Sequence, residues 1–307
     1  NRNQLLMATV DVEKLISADH PARAIWDFVG RIELSSYEEK IKSVEGSAGR
    51  PAYDPRLLVS LWIYAYSDGE GSAREIERLC GHDPAYQWLT GMEEISHHTL
   101  SDFRIDHEKE LDELFTQVLG LLTAENLVTL KRTTQDGMKV KACASSKSFR
   151  REATIREHLE AARAHVVAMG DPQREHDCEK RDKARKRAMR ERQARLEKAL
   201  EELPKIRAQK KNEEARKEAR VSETDPEARV MKQGGNGGYA PSYNVQLTVD
   251  AEHVIIVNAG VSQGATDDAE LVGAMEKVEE RTGKKPEQVV VDGGFTAGRR
   301  MGFAKMM

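Results

Sequence analysis

Thr133-Thr134-Gln135-Asp136-Gly137-Met138-Lys139-Val140-Lys141-Ala142 interrupts a chain that is helical in character on both sides of it and introduces β-structure. The preceding Leu127-Val128-Thr129-Leu130 favours β-structure, and Asp136-Gly137 is a strong turn dipeptide ahead of Met138-Lys139-Val140-Lys141. A hairpin-like start to a sheet is therefore predicted, with Asp136 at a strand tip. Far downstream, Val289-Val290-Val291 is a short buried-strand run that delivers Asp292 to a Gly293-Gly294 turn. Strands here and helices elsewhere predict an α+β fold.

Upstream, to about residue 125, helices alternate with short turns. Asp54-Pro55 supplies an N-cap and a first-turn proline, after which Leu57, Leu58, Leu61, Trp62 and Ala65 share one helical face. Ser72 with Glu75 forms a capping box for a second helix carrying Ile76, Leu79 and Cys80, which Gly81 stops. Pro84 to Leu89 reads as another short helix, and Thr99 or Ser101 starts a longer one with Phe103, Leu111, Leu114, Phe115, Val118, Leu119 and Leu122 inward. This spacing is compatible with a DNA-binding helix-turn-helix and equally with a plain helical bundle.

Downstream, residues 150–220 are charged helix that cannot bury a core of its own. Leu159, Ala162, Val166 and Met169, then Met189, Leu196, Leu200 and Leu203, suggest two helices paired around Gly170-Asp171-Pro172. The stretch from 180 to 198 is net basic, which suits phosphates but also a solvated helix face. Residues 224–241 read as a mobile Gly-rich connector. Then Tyr243-Asn244-Val245-Gln246-Leu247-Thr248-Val249 and residues 253–261 form an antiparallel hairpin. Asp267 and Glu270 stand in capping-box relation for a helix with Leu271, Val272, Met275 and Val278 on its apolar side, ended by Gly283.

At 307 residues the chain is long enough for more than one folding unit. Apolar residues make up 39% and charged residues 33%, so the charge excess is expected in the helical segment. A formal net charge of −4 argues against a uniformly basic nucleic-acid coat. No apolar run is long enough to cross a bilayer and no signal segment opens the chain, so a cytoplasmic protein without membrane contact is expected. Cys80, Cys143 and Cys178 lack metal-binding spacing, which leaves two partly buried thiols and one exposed on a charged helix. Asn1 in place of Met, and a final stretch from 301 to 307 that is neither finished helix nor polar tail, suggest a fragment.

Asp136 and Asp292 each stand at a predicted strand end and are each followed by glycine. Two carboxylates on neighbouring strands can hold divalent cations roughly 4 Å apart for in-line phosphoryl displacement without a nucleophilic side chain. Taken singly, either Asp-Gly reads first as turn chemistry.

Seven motifs, taken in order, resemble DDE-type transposases of bacterial insertion sequences. They are Tyr53-Asp54-Pro55, Ser72-Ala73-Arg74-Glu75, Thr99-Leu100-Ser101-Asp102-Phe103-Arg104, the stretch around Asp136, Thr224-Asp225-Pro226-Glu227-Ala228-Arg229, Tyr243-Asn244-Val245-Gln246 and Val290-Val291-Asp292-Gly293-Gly294-Phe295. Each alone is weak; seven in order are specific, and they run over nearly the whole chain. The resemblance implies a helical DNA-binding domain over 1–125 and the first catalytic strand of an RNase H-like mixed sheet over 126–149. A charged helical, coiled-coil insertion over 150–222 follows, and the remainder of the core over 223–307.

The resemblance further implies cut-and-paste DNA chemistry with Mg2+ (or Mn2+), in which Asp136 and Asp292 are the first and second acidic ligands. Double-stranded DNA, as insertion-sequence ends and as target, is the implied partner, with a homodimer at synapsis. Arg74, Arg78 and Arg104 are the candidate phosphate contacts. The third acid, usually a helical glutamate well downstream, has no match, since fifteen residues follow Asp292 and Glu276, Glu279 and Glu280 precede it. Loss of such a ligand should cost several kcal/mol of transition-state stabilisation, so the chain is expected to be a truncated copy inactive in strand transfer. The alternative is a non-catalytic DNA-binding protein that occupies element ends as a repressor. A helical scaffold with merely structural strands is a third reading.

Overall fold

A computed structural model describes residues 9–41, 52–168, 179–210, 212–234, 237–267 and 269–292, with the side chains of 179–183 outside the description. The chain divides into two compact units, residues 1–121 and 122–307. Together they are α+β, with helices throughout and a mixed sheet in the second unit. None of the described helices is long and apolar enough to cross a membrane.

The first unit contains α1 (Pro21–Val29), α2 (Ser35–Glu38), α3 (Pro55–Ser67), α4 (Ala73–Cys80), α5 (Pro84–Thr90), α6 (His97–Asp106) and nearly all of α7 (Glu108–Ala124). The Asp54 side chain accepts from the Arg56 N–H at 2.8 Å, so the expected cap of α3 forms. Leu58, Leu61, Trp62 and Ala65 are buried with Ile76, Cys80, Tyr86, Leu89, Leu100 and Phe103 in one core. Burial pushes the Cys80 thiol up to about 11, which makes it a packing residue without nucleophilic character.

Two expectations in this unit need correction. The capping box at Ser72 is half formed: Ser72 Oγ accepts from the Glu75 N–H, but Glu70 takes the Ser72 N–H while the Glu75 carboxylate binds Arg78. The long helix expected from Thr99 or Ser101 starts at His97, capped by Ser96, and breaks at His107. There the His107 ring packs on Tyr37 and Phe103 at 5.1 and 4.8 Å, and α7 restarts with Glu110 paired to Lys40 at 2.7 Å. Tertiary packing of one ring outweighs helical continuity.

The second unit contains β1 (Arg132–Lys141), β2 (Phe149–Arg150), α8 (Glu152–Ala168), α9 (Glu179–Ala208), α10 (Glu213–Lys217), β3 (Val221–Ser222), β4 (Arg229–Lys232), β5 (Tyr239–Asp250), β6 (Ile255–Ser262), α11 (Glu270–Thr282) and β7 (Gln288–Val291). Asp136-Gly137 is not a turn. It lies inside β1, paired with Leu247 and Gln246 of β5, so Asp136 is mid-strand rather than at a strand tip. Residues 127–130 are not strand either, because Asn126 and Leu130 adopt positive φ of 58° and 57°. The buried Asp250 carboxylate fixes that bend by accepting the N–H groups of Thr129 and Leu130 at 3.0 and 2.7 Å.

Around β1 the sheet is mixed: β7 lies parallel on one side and β5 antiparallel on the other. The far edge of β5 pairs with β4 over its first residues and with β6 over the rest, giving the expected hairpin. The connector expected to be a mobile loop over 224–241 instead holds β4, whose chain reversal is closed by the Gln233 N–H to the Gly238 carbonyl at 2.8 Å.

Between β1 and β5, α8 and α9 pair antiparallel through Ile155, Leu159 and Ala162 against Leu196, Ala199, Leu203 and Ile206. The expected turn at Gly170-Asp171-Pro172, like Met169 and Cys178, lies outside the described residues. At its base, β2 and β3 pair Phe149 with Ser222 and Arg150 with Val221. The buried Arg229 guanidinium ties α9 to β4, donating to Glu202 at 2.5 Å, to Gln263 at 2.7 Å and to the carbonyls of Pro226, Glu227 and Ala228.

The capping box expected at Asp267 and Glu270 does not form. Helix α11 starts at Glu270 without a side-chain cap, and both carboxylates turn to the sheet, Asp267 to amides of β5 and Glu270 to Ser262. Of the expected apolar side, Val278 is buried and Val272 is exposed. Gly283 ends the helix at φ 70°, as expected.

Candidate functional site

The parallel β1–β7 pairing fixes the geometry of the two candidate acids. Its last pair is Gln135 with Val291, so Asp136 and Asp292 occupy the next register position on adjacent strands. Neighbouring strands run ~4.8 Å apart, and side chains two positions apart share a face. Arg132, Thr134 and Asp136 on β1, and Gln288, Val290 and Asp292 along β7, are all exposed, which sets the two acids on one open face. The Asp136 carboxylate also accepts the N–H of Gly137 at 2.7 Å. Val290 is exposed too, so β7 is not the fully buried strand its three valines predict.

The sheet inverts the usual alternation of apolar-in and polar-out. On the face carrying the acids lie Met138, Val140, Val261 and Val290, all exposed. The opposite face buries polar residues: Thr133, Gln135, Asn244, Gln246, Thr248, Asp250 and Asn258. These are joined in a network: Gln135 donates to Gln246 at 2.7 Å, and Asn244 and Gln246 each donate to Asp267 at 2.6 Å. Lys139 approaches the same carboxylate at 3.3 Å. Burial alone would raise Asp267, but the amides of Asn244 and Gln246 and the Lys139 ammonium outweigh it and hold the carboxyl below its usual range.

The network positions Asp136 from behind, since its neighbours Gln135, Gly137 and Lys139 all face it. Gly137 is required there. A Cβ at this position would collide with the Asp267 carboxylate and the Gln246 amide. Gly137→Ala is expected to cost the sheet about 2–3 kcal/mol through the forced displacement of that buried network. Hydrogen exchange of β1 and β5 amides reads this as faster opening, and unchanged exchange would show that the carboxylate moves aside freely.

The three candidate DNA contacts belong to the other unit. Arg74 and Arg78 are exposed one turn apart on α4. Arg78 binds Glu75 and lies 3.0 Å from His82, and it holds the Glu75 carboxyl below its usual range. Arg104 is half-buried on α6; its guanidinium lies over the Trp62 ring at 4.0 Å and donates to the Tyr66 hydroxyl at 2.8 Å. That makes Arg104 a packing residue as much as a surface charge. The Asp267 network and the Arg229–Glu202 pair carry the local electrostatics and were not anticipated as such. The signal for the second was present in Thr224-Asp225-Pro226-Glu227-Ala228-Arg229, where Asp225 also accepts the Tyr243 hydroxyl at 2.5 Å.

Two oxygen donors side by side suit a hard divalent cation that completes its shell with water. Among the described residues, no group of three or more His, Cys, Asp or Glu side chains is placed to hold a metal ion. Residues 10–106 match a family described as a transposase domain (DUF772), a stretch that covers α1 to α6 and includes Arg74, Arg78 and Arg104. No match to the chain is found among curated proteins or among solved structures.

Proposed function

We propose that the chain is a DDE-type transposase of a bacterial insertion sequence, with an RNase H-like core in which Asp136 and Asp292 are the first two acidic ligands. The observation that carries this reading is the parallel register that sets the two acids at neighbouring positions on one open face, although 156 residues of chain separate them. The transposase-domain match over the helical unit supports it independently. So does the helical insertion between β1 and β5, which fits the architecture implied by the family resemblance.

In this reading Asp136 and Asp292 supply carboxylate oxygens to Mg2+ or Mn2+, which when bound stabilises the attacking and leaving oxygens of a phosphodiester. The polar network behind β1 holds Asp136 at its register position. Arg74 and Arg78 contact the phosphates of element ends and orient the duplex without reading its sequence. A homodimer at synapsis would bring two ends together.

The transposase-domain match over residues 10–106 also supports a second reading, as an end-binding protein that does not complete strand transfer. Both readings require duplex binding; the first alone requires the cation. Mn2+ is expected to raise the melting temperature of the sheet-bearing unit in the wild type and not in Asp136→Asn or Asp292→Asn, with duplex binding kept in all three. Duplex binding with no effect of Mn2+ on the wild type would leave the end-binding reading, and failure to bind duplex would remove both.

A further inference from the structure

We propose that the N-terminal half of α9 is a second duplex-DNA contact, on the sheet-bearing unit and separate from Arg74, Arg78 and Arg104. The inference rests on the transposase reading above. What points to it is an asymmetry along one helix. From 196 to 208, α9 has three bases and three acids, and all three bases and two of the acids are engaged locally: Lys198 with Glu227 at 2.9 Å, Lys205 with Glu202 at 2.6 Å, Arg207 with Glu152 at 2.7 Å and Glu197 with Arg163 at 3.1 Å. From 184 to 195 there are six bases and one acid. Arg187 pairs with that acid, Glu191, at 2.8 Å, while Arg185, Lys186, Arg190, Arg192 and Arg195 have no ion-pair partner among the described residues.

In a chain whose net charge is −4, a run of this density without ion-pair partners among the described residues requires a physical reason. Self-repulsion along a helix is destabilising, and like charges at i,i+4 such as Lys186 and Arg190 add to it. A polyanion removes that cost. The placement also suits a duplex. At about 100° per residue, Arg185, Arg192 and Arg195 fall on one flank of α9 and Lys186 and Arg190 on the other, the two rows roughly 150° apart across the packed side that holds Met189, Gln193 and Leu196 and roughly 210° apart across the outward side. Between them on the outward side lie Ala194 and the Arg187–Glu191 pair, all exposed. A helix roughly 10–12 Å across, with a cationic row on each flank, fits the ~12 Å major groove so that each row meets one phosphate backbone. Arg185 to Arg195 spans ~15 Å, or roughly four phosphates of one strand.

The other half of α9 is anchored, through the Arg229–Glu202 pair and Lys198–Glu227, to β4 and the turn before it. Duplex held along α9 is therefore held by the same unit that carries Asp136 and Asp292.

The test uses the full chain and a labelled 30-base-pair duplex of arbitrary sequence, with affinity read by fluorescence anisotropy between 50 and 200 mM salt. Replacing Arg185, Arg190, Arg192 and Arg195 together by Gln is expected to weaken binding at least about tenfold at the lower salt and to flatten the log–log salt slope by roughly 3–4. Glu191→Gln, which removes the one acid, is expected to tighten binding about twofold at low salt, and it decides the matter if the quadruple variant does not fold. Unchanged affinity and slope in the quadruple variant, or no gain in Glu191→Gln, would overturn the proposal while leaving the transposase reading in place. A wild-type chain that does not bind duplex would remove both. Stronger competition by a hairpin RNA than by duplex DNA at equal phosphate would assign the helix to RNA instead.

Discussion

Asp250→Ala is expected to destabilise the sheet-bearing unit by about 4 kcal/mol, because one buried carboxylate serves two bends at once. Its Oδ2 accepts the N–H groups of Thr129 and Leu130 and the Thr129 hydroxyl, and its Oδ1 accepts those of Glu252 and His253 at 3.0 and 3.4 Å. Alanine leaves these donors without a partner, and a buried unsatisfied donor costs about 1–3 kcal/mol. The sum is less than additive because the bend at 251–253 can relax into water. Burial alone would raise the Asp250 carboxyl, but the N–H groups of Leu130, Glu252, Thr129 and His253 outweigh it and keep it below its usual range. A depressed carboxyl stabilises the fold above the unfolded value near pH 4, and that contribution is lost as pH falls through the lower folded value. Calorimetry at pH 7 and pH 3 should therefore show a large difference between wild type and Asp250→Ala at the higher pH and a smaller one at the lower. All three tryptophans, Trp26, Trp62 and Trp88, lie in the other unit, so tryptophan fluorescence should report unfolding of that unit unchanged.

Arg229→Met is expected to cost about 3–5 kcal/mol and to loosen the helical hairpin from the sheet. Arg229 and Glu202 are both buried, and the guanidinium also satisfies three carbonyls of the Pro226–Ala228 turn and Gln263. Removing it leaves Glu202 buried with Lys205 as its remaining cation. Burial raises Glu202, whereas Lys205 and Arg229 more than offset this and hold it low, so in the variant the carboxyl should move up. Limited proteolysis would find α8 and α9 cut faster than β1 and β5. Equal protection of hairpin and sheet in the variant would show that the packing around Ile155, Leu203 and Val221 suffices to hold them together.

Much of the helical unit was legible because its signals are local. Asp54-Pro55, Ser72, Gly81 and Pro84 act within a turn of the element they start or stop, whereas the start at His97, capped by Ser96, falls ahead of the expected Thr99 or Ser101. Helix α1 carries the same kind of signal, with Pro21 at its first position and then Ala22, Ile25, Trp26 and Val29 at helical spacing. The break at His107 was invisible because it depends on Tyr37, 70 residues away in the chain.

In the sheet the failures have one origin. Asp136-Gly137 has turn chemistry, yet it is strand because Asp267 and Gln246 occupy the space a side chain would need at residue 137. The glycine serves a close approach, and only the fold reveals what approaches. Asp267 likewise has cap chemistry but is claimed by buried amides. The period-two pattern of 243–249 located β5 correctly without saying which face is inward, and the structure buries the polar one. The pairing of β1 with β7, on which the candidate site depends, is a long-range parallel contact that local patterning does not encode.

The most direct test of the shared site is a double-mutant cycle on Mn2+ binding, followed by electron paramagnetic resonance on the full chain. If Asp136 and Asp292 ligate one ion, Asp136→Asn and Asp292→Asn should each weaken binding by about tenfold or more, and the double variant should lose little beyond either single one. Additive losses, or a wild-type chain that binds no Mn2+ in the millimolar range, would contradict a common cation site on the open face of the sheet.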